Sequence, residues 1–273
     1  MLPIAQNEPA CPSLSSLGTD LLATTPFQRR LALSRPFIGI LVWVLAAHAE
    51  LWWLTPFLTF LIFVAVVTVA HDVVHGTLGL SRRQTDWALF ALGAVLLESG
   101  HAYRTTHFRH HAVFPGPDDP EGDPARMSFW QAVLHGPFFL PRLWCWAFVR
   151  QKGNQPERLW LIAEAAWPLL ILSIGLIFWQ WTAAVLIYAG LVIVGSWVYP
   201  LLTVHLPHRH YGDTPLTQTH TLRGRIIPAL FLELTYHLEH HLYPQVPSHF
   251  LPELSRRLGP FFERAHVCPR RVP

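Results

Sequence analysis

Apolar residues run almost unbroken over about 37–54, 56–70, 159–178 and 182–202. Each run is near the ~20 residues that carry an α-helix across ~30 Å of hydrocarbon, the second by continuing into polar sequence. Only Thr55-Pro56 separates the first two runs and Gln180-Trp181 the last two. Connections this short join antiparallel neighbours. The pattern predicts an all-α integral membrane protein with four transmembrane helices in two hairpins. Shorter apolar stretches at 87–97, 129–149 and 226–236 are expected in the interface or beneath the bundle. Residues 1–35, rich in Pro, Ser and Thr, end in Arg29, Arg30 and Arg35 and lack the apolar core and cleavage site of a signal peptide. They read as a cytoplasmic N-terminal tail, with a membrane domain over 36–255 and a cytoplasmic C-terminal tail over 256–273.

Composition agrees. Apolar residues make up 51% of the chain and charged residues 14%, against about 25% charged in soluble domains. The outer turns, 49–55 and 179–181, hold no Lys or Arg, so an N-terminus in the cytoplasm puts all 20 basic residues on the inner side. Trp52, Trp53, Trp179 and Trp181 fall at those turns, as in an interfacial aromatic belt. The net charge of +3 does not indicate nucleic acid, because the arginines close apolar runs rather than alternate with exposed aromatics. Cys11, Cys145 and Cys268 form no CxxC, which leaves no iron–sulfur cluster or zinc knuckle. A bacterial inner membrane is the expected location.

The candidate chemistry lies in 17 histidines. His71-Asp72-Val73-Val74-His75 follows the second apolar run, His107-Phe108-Arg109-His110-His111 comes next, and His237-Leu238-Glu239-His240-His241 follows the fourth. Spacings of three and four put imidazoles on one helical face. A lone HxxxH arises easily by chance at this histidine content; two HxxHH segments beside it do not. After two crossings the first two clusters emerge in the cytoplasm, and after four so does the third. All eight imidazoles can then share a cytoplasmic histidine-rich cap. Eight are too many for one tetrahedral structural zinc and suit two ions. Imidazole alone does not name the metal, but O₂ activation requires a redox-active one such as iron. Orienting carboxylates are expected from Asp72, Glu233 and Glu239. Asp118, Asp119 and Asp123 lie in a Pro- and Gly-rich segment that reads equally well as a solvated turn. Glu98 and Glu164 stand in apolar segments, where carboxylates are costly, and the sequence names no partner for either.

The order HxxxH, HxxHH, HxxHH with this topology resembles the membrane fatty-acid desaturase and hydroxylase superfamily over about residues 40–255. His71-Asp72-Val73-Val74-His75-Gly76 resembles the first box of bacterial carotenoid ketolases. Leu206-Pro207-His208-Arg209 is similar to an element of carotenoid ketolases and β-carotene hydroxylases. Tyr236 to Pro244 is similar to both carotenoid enzymes and acyl-lipid desaturases, while the compact length favours the carotenoid branch.

The resemblance implies two iron ions, O₂ as co-substrate and a ninth histidine ligand. His208 matches the place of that ligand; His205 and His210 are its neighbours and competitors. The ligand set is then His71, His75, His107, His110, His111, His208, His237, His240 and His241. The expected activity is hydroxylation or ketolation of a carotenoid β-ionone ring. The alternative is desaturation of a fatty acid or acyl lipid, and more remote is a non-oxidative metal-binding membrane protein. With no dinucleotide fingerprint and no cysteine cluster, electrons must come from a separate donor, such as a ferredoxin with its reductase. Arg104, Arg109, Arg223 and Arg225 could attract it, although positive-inside topology alone accounts for them.

Overall fold

A computed structural model describes residues 9–273; residues 1–8 of the expected N-terminal tail lie outside the described residues. Among the described residues four helices are long and apolar enough to cross a membrane, over Pro26–His48, Trp52–Val74, Gln155–Ile177 and Ala184–His208. The protein is all-α with four such spans, as expected. The chain divides into two compact units, Thr24–His210 and the pairing of the N-terminal residues up to Ala23 with Tyr211–Pro273.

In the larger unit the helices are Pro26–His48 (α1), Thr55–Val74 (α2), Arg82–Leu96 (α3), Gly100–Val113 (α4), Phe129–Arg150 (α5), Gln155–Ile177 (α6) and Ala184–Ser196 (α7). Helix α1 starts well before its apolar run because local chemistry starts it: Thr25 and Gln28 form a capping box and Pro26 occupies the first turn. Ser81 with Gln84 and Ser128 with Gln131 start α3 and α5 the same way. Helix α2 is the central one, with 78% of its span buried against 22%, 17% and 28% for the others. It packs on α1, α3 and α7. Trp43 Nε1 donates to Thr59 Oγ1 at 3.1 Å and ties α1 to it. The outward faces of α1, α6 and α7 carry Leu41, Leu45, Leu169, Leu170, Ile177 and Val194, all exposed, which suits a lipid surround and not water.

Helix α3, expected at the interface or beneath the bundle, has Leu89 and Leu92 fully buried and packs on α2 and α6. It ends at Leu97 in the left-handed region. The carbonyls of Ala94 and Val95 in its last turn accept from Trp167 Nε1 at 3.1 Å and Tyr188 OH at 2.8 Å. A helix end within an apolar bundle needs such partners. The return into α4 is tight. A Cβ on Gly93 would lie 2.6 Å from the Glu98 carbonyl oxygen, and one on Gly100 2.4 Å from that of Leu89. Beyond α7 the span widens into a π-helical stretch, Pro200–His205, then closes as Leu206–His208. Such bulges recur at functional sites.

In the smaller unit, Leu251–Arg264 (α8) lays an apolar face of Leu251, Leu254, Leu258 and Phe261 on Leu21, Leu216, Tyr243 and Val246. The helix runs across the expected boundary between membrane domain and C-terminal tail. Arg257 holds Asp20 through two nitrogens, at 2.8 and 2.7 Å, and the Leu17 carbonyl at 2.7 Å. Tyr243 OH donates to the Pro12 carbonyl at 2.6 Å. The described part of the N-terminal segment is therefore packed against the C-terminal one. A two-residue parallel ladder pairs Leu222 with Arg270 and Arg223 with Arg271, and the third histidine cluster occupies the helix His237–Leu242.

Candidate metal centre

Helix α2 delivers His71 on its last turn and His75 as its C-cap, while α4 carries His107, His110 and His111. The ring centroids of His71 and His107, and of His75 and His107, are 5.1 Å apart, and those of His75 and His111 are 4.9 Å apart. One ring nitrogen from each of His71, His75, His107 and His111 lies within 4.8 Å of the others. His107 Nε2 and His111 Nε2 are 3.2 Å apart. On the same helix, His110 Nε2 lies 3.2 Å from His208 Nε2. In the smaller unit His237 Nε2 and His241 Nε2 are also 3.2 Å apart, with His240 buried beside them. His205 is buried with Nδ1 2.9 Å from the Pro124 carbonyl, whereas His210 is exposed.

These rings are oriented from behind. Asp119 Oδ2 lies 2.7 Å from His110 Nδ1, and Glu121 Oε2 lies 3.3 Å from His107 Nδ1. An ionised carboxylate only accepts, so it fixes the proton on Nδ1 and leaves the Nε2 lone pair for a metal. The Glu121 N–H donates to Asp119 Oδ1 at 2.9 Å and locks the two acids to each other. Thr106 Oγ1 donates to Glu121 Oε1 at 2.6 Å. Burial keeps His107 and His111 well below the ordinary imidazole pKa and His75 at about 4, so these rings are neutral at pH 7. Burial also disfavours a charge on His110, but the Asp119 carboxylate outweighs it and raises that pKa. Burial pushes Glu121 up to about 7, with His110 and Thr106 opposing it.

The acids seen behind His110 and His107 come from the segment after the second cluster, which the sequence left open to a turn reading. Its signal was the density of acids directly behind HxxHH. Asp72 is buried at the end of α2, its backbone carbonyl accepting from Thr77 Oγ1 at 3.1 Å. Glu239 accepts from Thr221 Oγ1 at 2.6 Å and lies 3.9 Å from Arg223. Glu233 is half-buried, with its carbonyl accepting from Tyr236 N–H. Glu164 has the partners the sequence did not name: Ser99 Oγ donates to it, and His101 Nδ1 lies 2.7 Å away. The His101 ring stacks on Trp160 at 5.0 Å. Arg104, a candidate for donor attraction, bonds Asp86 at 2.8 Å and Glu157 at 2.7 Å. Arg109 pairs with Asp118 at 3.2 Å, Arg223 stacks over Tyr236 at 4.2 Å, and Arg225 is exposed.

A largely apolar cavity of about 330 Å³ lies within the larger unit. Val66, Ala70, Leu96, Trp144 and Tyr199 are among its walls, with Tyr103. Ala70 immediately precedes His71, and the Tyr103 ring stacks on His107 at 4.8 Å. The Tyr103 ring is therefore shared between the cavity wall and the imidazole cluster.

Comparison with known proteins points the same way. A family profile described as fatty acid desaturase matches residues 28–271. The β-carotene ketolase of Paracoccus sp. (strain PC1) is 29% identical over 211 residues, covering 72% of this chain and 75% of the ketolase. The sphingolipid delta(4)-desaturase/C4-monooxygenase of Mus musculus is 26% identical over 209 residues, covering 72% of this chain and 60% of that longer protein. The dihydrorhizobitoxine desaturase of Bradyrhizobium elkanii is 24% identical over 268 residues, covering 82% of this chain and 73% of its own. With a match across nearly its whole length, four apolar spans and clustered imidazoles, this chain belongs to the fatty acid desaturase family, an integral membrane oxidoreductase.

Proposed function

We propose that this protein oxidises an unactivated C–H bond of a membrane-dissolved lipid with O₂ at a di-iron centre, by hydroxylation or ketolation of a carotenoid β-ionone ring. The observation that carries the reading is the clustering of buried imidazoles, two of them with Nδ1 facing a buried carboxyl, beside Tyr103 in the wall of a largely apolar cavity. The residues fit a metal. The nitrogens of His107 and His111, and of His110 and His208, are 3.2 Å apart, within the ~4.2 Å that two metal–nitrogen bonds of about 2.1 Å can span, so each pair could hold one ion. The proposed ligands are His71, His75, His107, His110, His111 and His208, with His237, His240 and His241 joining them on the family's three-box order. Iron held there supplies redox chemistry with O₂, which zinc, being redox-silent, does not.

The chain's own residues do the rest. Asp119 and Glu121 hold His110 and His107 in the tautomer that presents Nε2. Tyr103, which lines the cavity and stacks on His107, marks the side of it where a C–H bond must be held for reaction. The apolar lining excludes water and admits substrate from the bilayer. Electrons come from a separate ferredoxin-type donor with its reductase, and positive-inside topology sets the boxes and both termini on the cytoplasmic side.

A second reading is favoured by the sphingolipid and dihydrorhizobitoxine desaturases among the relatives: desaturation of an acyl lipid at the same centre. Expression in bacteria that accumulate β-carotene separates the two. Liquid chromatography with mass spectrometry is expected to find hydroxyl or keto carotenoids that disappear in the His110→Ala variant. Unchanged pigment beside new double bonds in the membrane lipids of the same cells would establish the acyl reading instead. Activity without O₂, or a protein that purifies without iron, would overturn both and leave a non-oxidative metal-binding protein.

A further inference from the structure

The largely apolar lining of this cavity includes two carboxylic acids, Glu98 and Glu164, with the hydroxyl residues Ser99, Tyr103, Ser196 and Tyr199. The surroundings of the two acids differ. Glu164 is occupied by Ser99 and His101. Glu98 lies in the turn between α3 and α4, outside the four spans, and its Oε1 is shielded from solvent with no hydrogen-bond partner among the described residues. A buried polar atom left unpaired costs about 1–3 kcal/mol and calls for an explanation. Here the backbone forces the group to stay. The turn is pinned by the Glu98 N–H donating to the Gly93 carbonyl at 2.9 Å, by the left-handed Leu97, and by the glycines on either side. Burial pushes Glu98 up to about 8, so at neutral pH the carboxyl keeps a proton it can donate.

The geometry points to Glu98 as a specificity residue that hydrogen-bonds a neutral oxygen function, a hydroxyl or keto group, on an otherwise apolar substrate lying in this cavity. This rests on the proposed reading of the cavity as the chamber serving the histidine centre, and it adds which lipids that chamber prefers. A pure hydrocarbon leaves the Glu98 carboxyl unpaired; the same skeleton with one oxygen satisfies it. Because Glu98 and the His107-stacked Tyr103 are fixed in walls of one cavity, the anchored oxygen sets which carbon lies near the imidazoles. Oxidation is then directed to a constant distance from an oxygen already present. A cation or a phosphate has no place beside a protonated carboxyl in an apolar wall.

The test is binding, measured on the full-length iron-loaded protein in lipid nanodiscs. The probes are two pairs that differ by one oxygen: β-carotene against a monohydroxylated β-carotene, and hexadecane against hexadecan-1-ol. The wild type is expected to bind the oxygenated member of at least one pair about tenfold more tightly. Glu98→Gln, which can still donate and accept, is expected to keep the preference. Glu98→Leu is expected to lose it while binding the hydrocarbon at least as well, which shows that the cavity is intact. Difference infrared spectra supply a second readout: the carboxyl C=O band absent from Glu98→Gln should shift with the oxygenated probe and stay in place with the hydrocarbon. Equal affinities and an unmoved band, with both probes still bound, would overturn the role of Glu98 and leave the chamber standing. Binding of every probe unaffected by Ala70→Trp, which fills the cavity, would overturn the chamber itself.

Discussion

Removing one negative charge behind a ligand isolates the orienting role of the acidic segment. In Asp119→Asn the side chain keeps its shape, and Oδ1 can still accept the Glu121 N–H now bonded at 2.9 Å. The atom facing His110 Nδ1 at 2.7 Å then becomes an amide NH₂. Two donors would confront each other in a site where both partners are buried, at 3% and 0% side-chain exposure. His110 escapes the conflict by moving its proton to Nε2, the nitrogen 3.2 Å from His208 and the one needed for metal. A hydrogen bond to a charged partner is worth about 1.5–3 kcal/mol, and loss of an orienting carboxylate typically weakens metal binding 10–100-fold, or about 1.4–2.7 kcal/mol. The two routes agree, so iron affinity should fall by about one to two orders of magnitude with the helical content unchanged. Chelator competition followed by metal analysis measures the first and far-ultraviolet circular dichroism the second. Asp118→Asn is the control, since Asp118 is 71% exposed and faces Arg109. Wild-type iron affinity in Asp119→Asn, or an equal loss in Asp118→Asn, would refute the orienting role.

Gly136→Ala would put a Cβ 1.9 Å from the Trp197 carbonyl oxygen; backbone must move, and a loss of at least about 1–3 kcal/mol should appear as a lower melting temperature in detergent. Glu164→Gln removes the negative partner of Ser99 and His101 and should cost about 1.5–3 kcal/mol, read from the same thermal scan; an unchanged scan would show that this pair is dispensable. Hydrogen bonds from Arg256 and Arg257 hold Glu253 down at about 2. Its folded value is depressed, so its contribution is complete above the unfolded value near 4.5 and is lost as pH falls from there toward 2. Amide-exchange protection in Leu251–Arg264, taken relative to the intrinsic rate at each pH, should therefore fall over that acid range, and the fall should shrink in Arg257→Ala.

The spans were legible because a bilayer imposes length and polarity together: four apolar runs became four helices, with starts displaced by Thr25 and other caps that hydropathy does not see. The histidine clusters were legible because imidazoles at three- and four-residue spacing have few other uses in such number. Asp119 and Glu121 were not, since Pro-Asp-Asp-Pro-Glu suits a solvated turn equally well, and only the return of the chain onto α4 puts the acids behind His110 and His107. The partners of Glu164 were hidden for the same reason. Ser99 and His101 are more than sixty positions away in sequence, and a long-range contact leaves no local periodicity. The neighbours of α3 were not legible, since its 15 residues are too few to span and only the fold shows that α2 and α6 pack against it.

The most direct test of the account is the metal content of the purified full-length protein beside its His110→Ala variant, with Mössbauer spectroscopy of ⁵⁷Fe-grown material to identify coupled iron. The account predicts two irons per chain in the wild type and a substantial loss of iron in His110→Ala. A single zinc per chain, or iron retained in full by the variant, would contradict it.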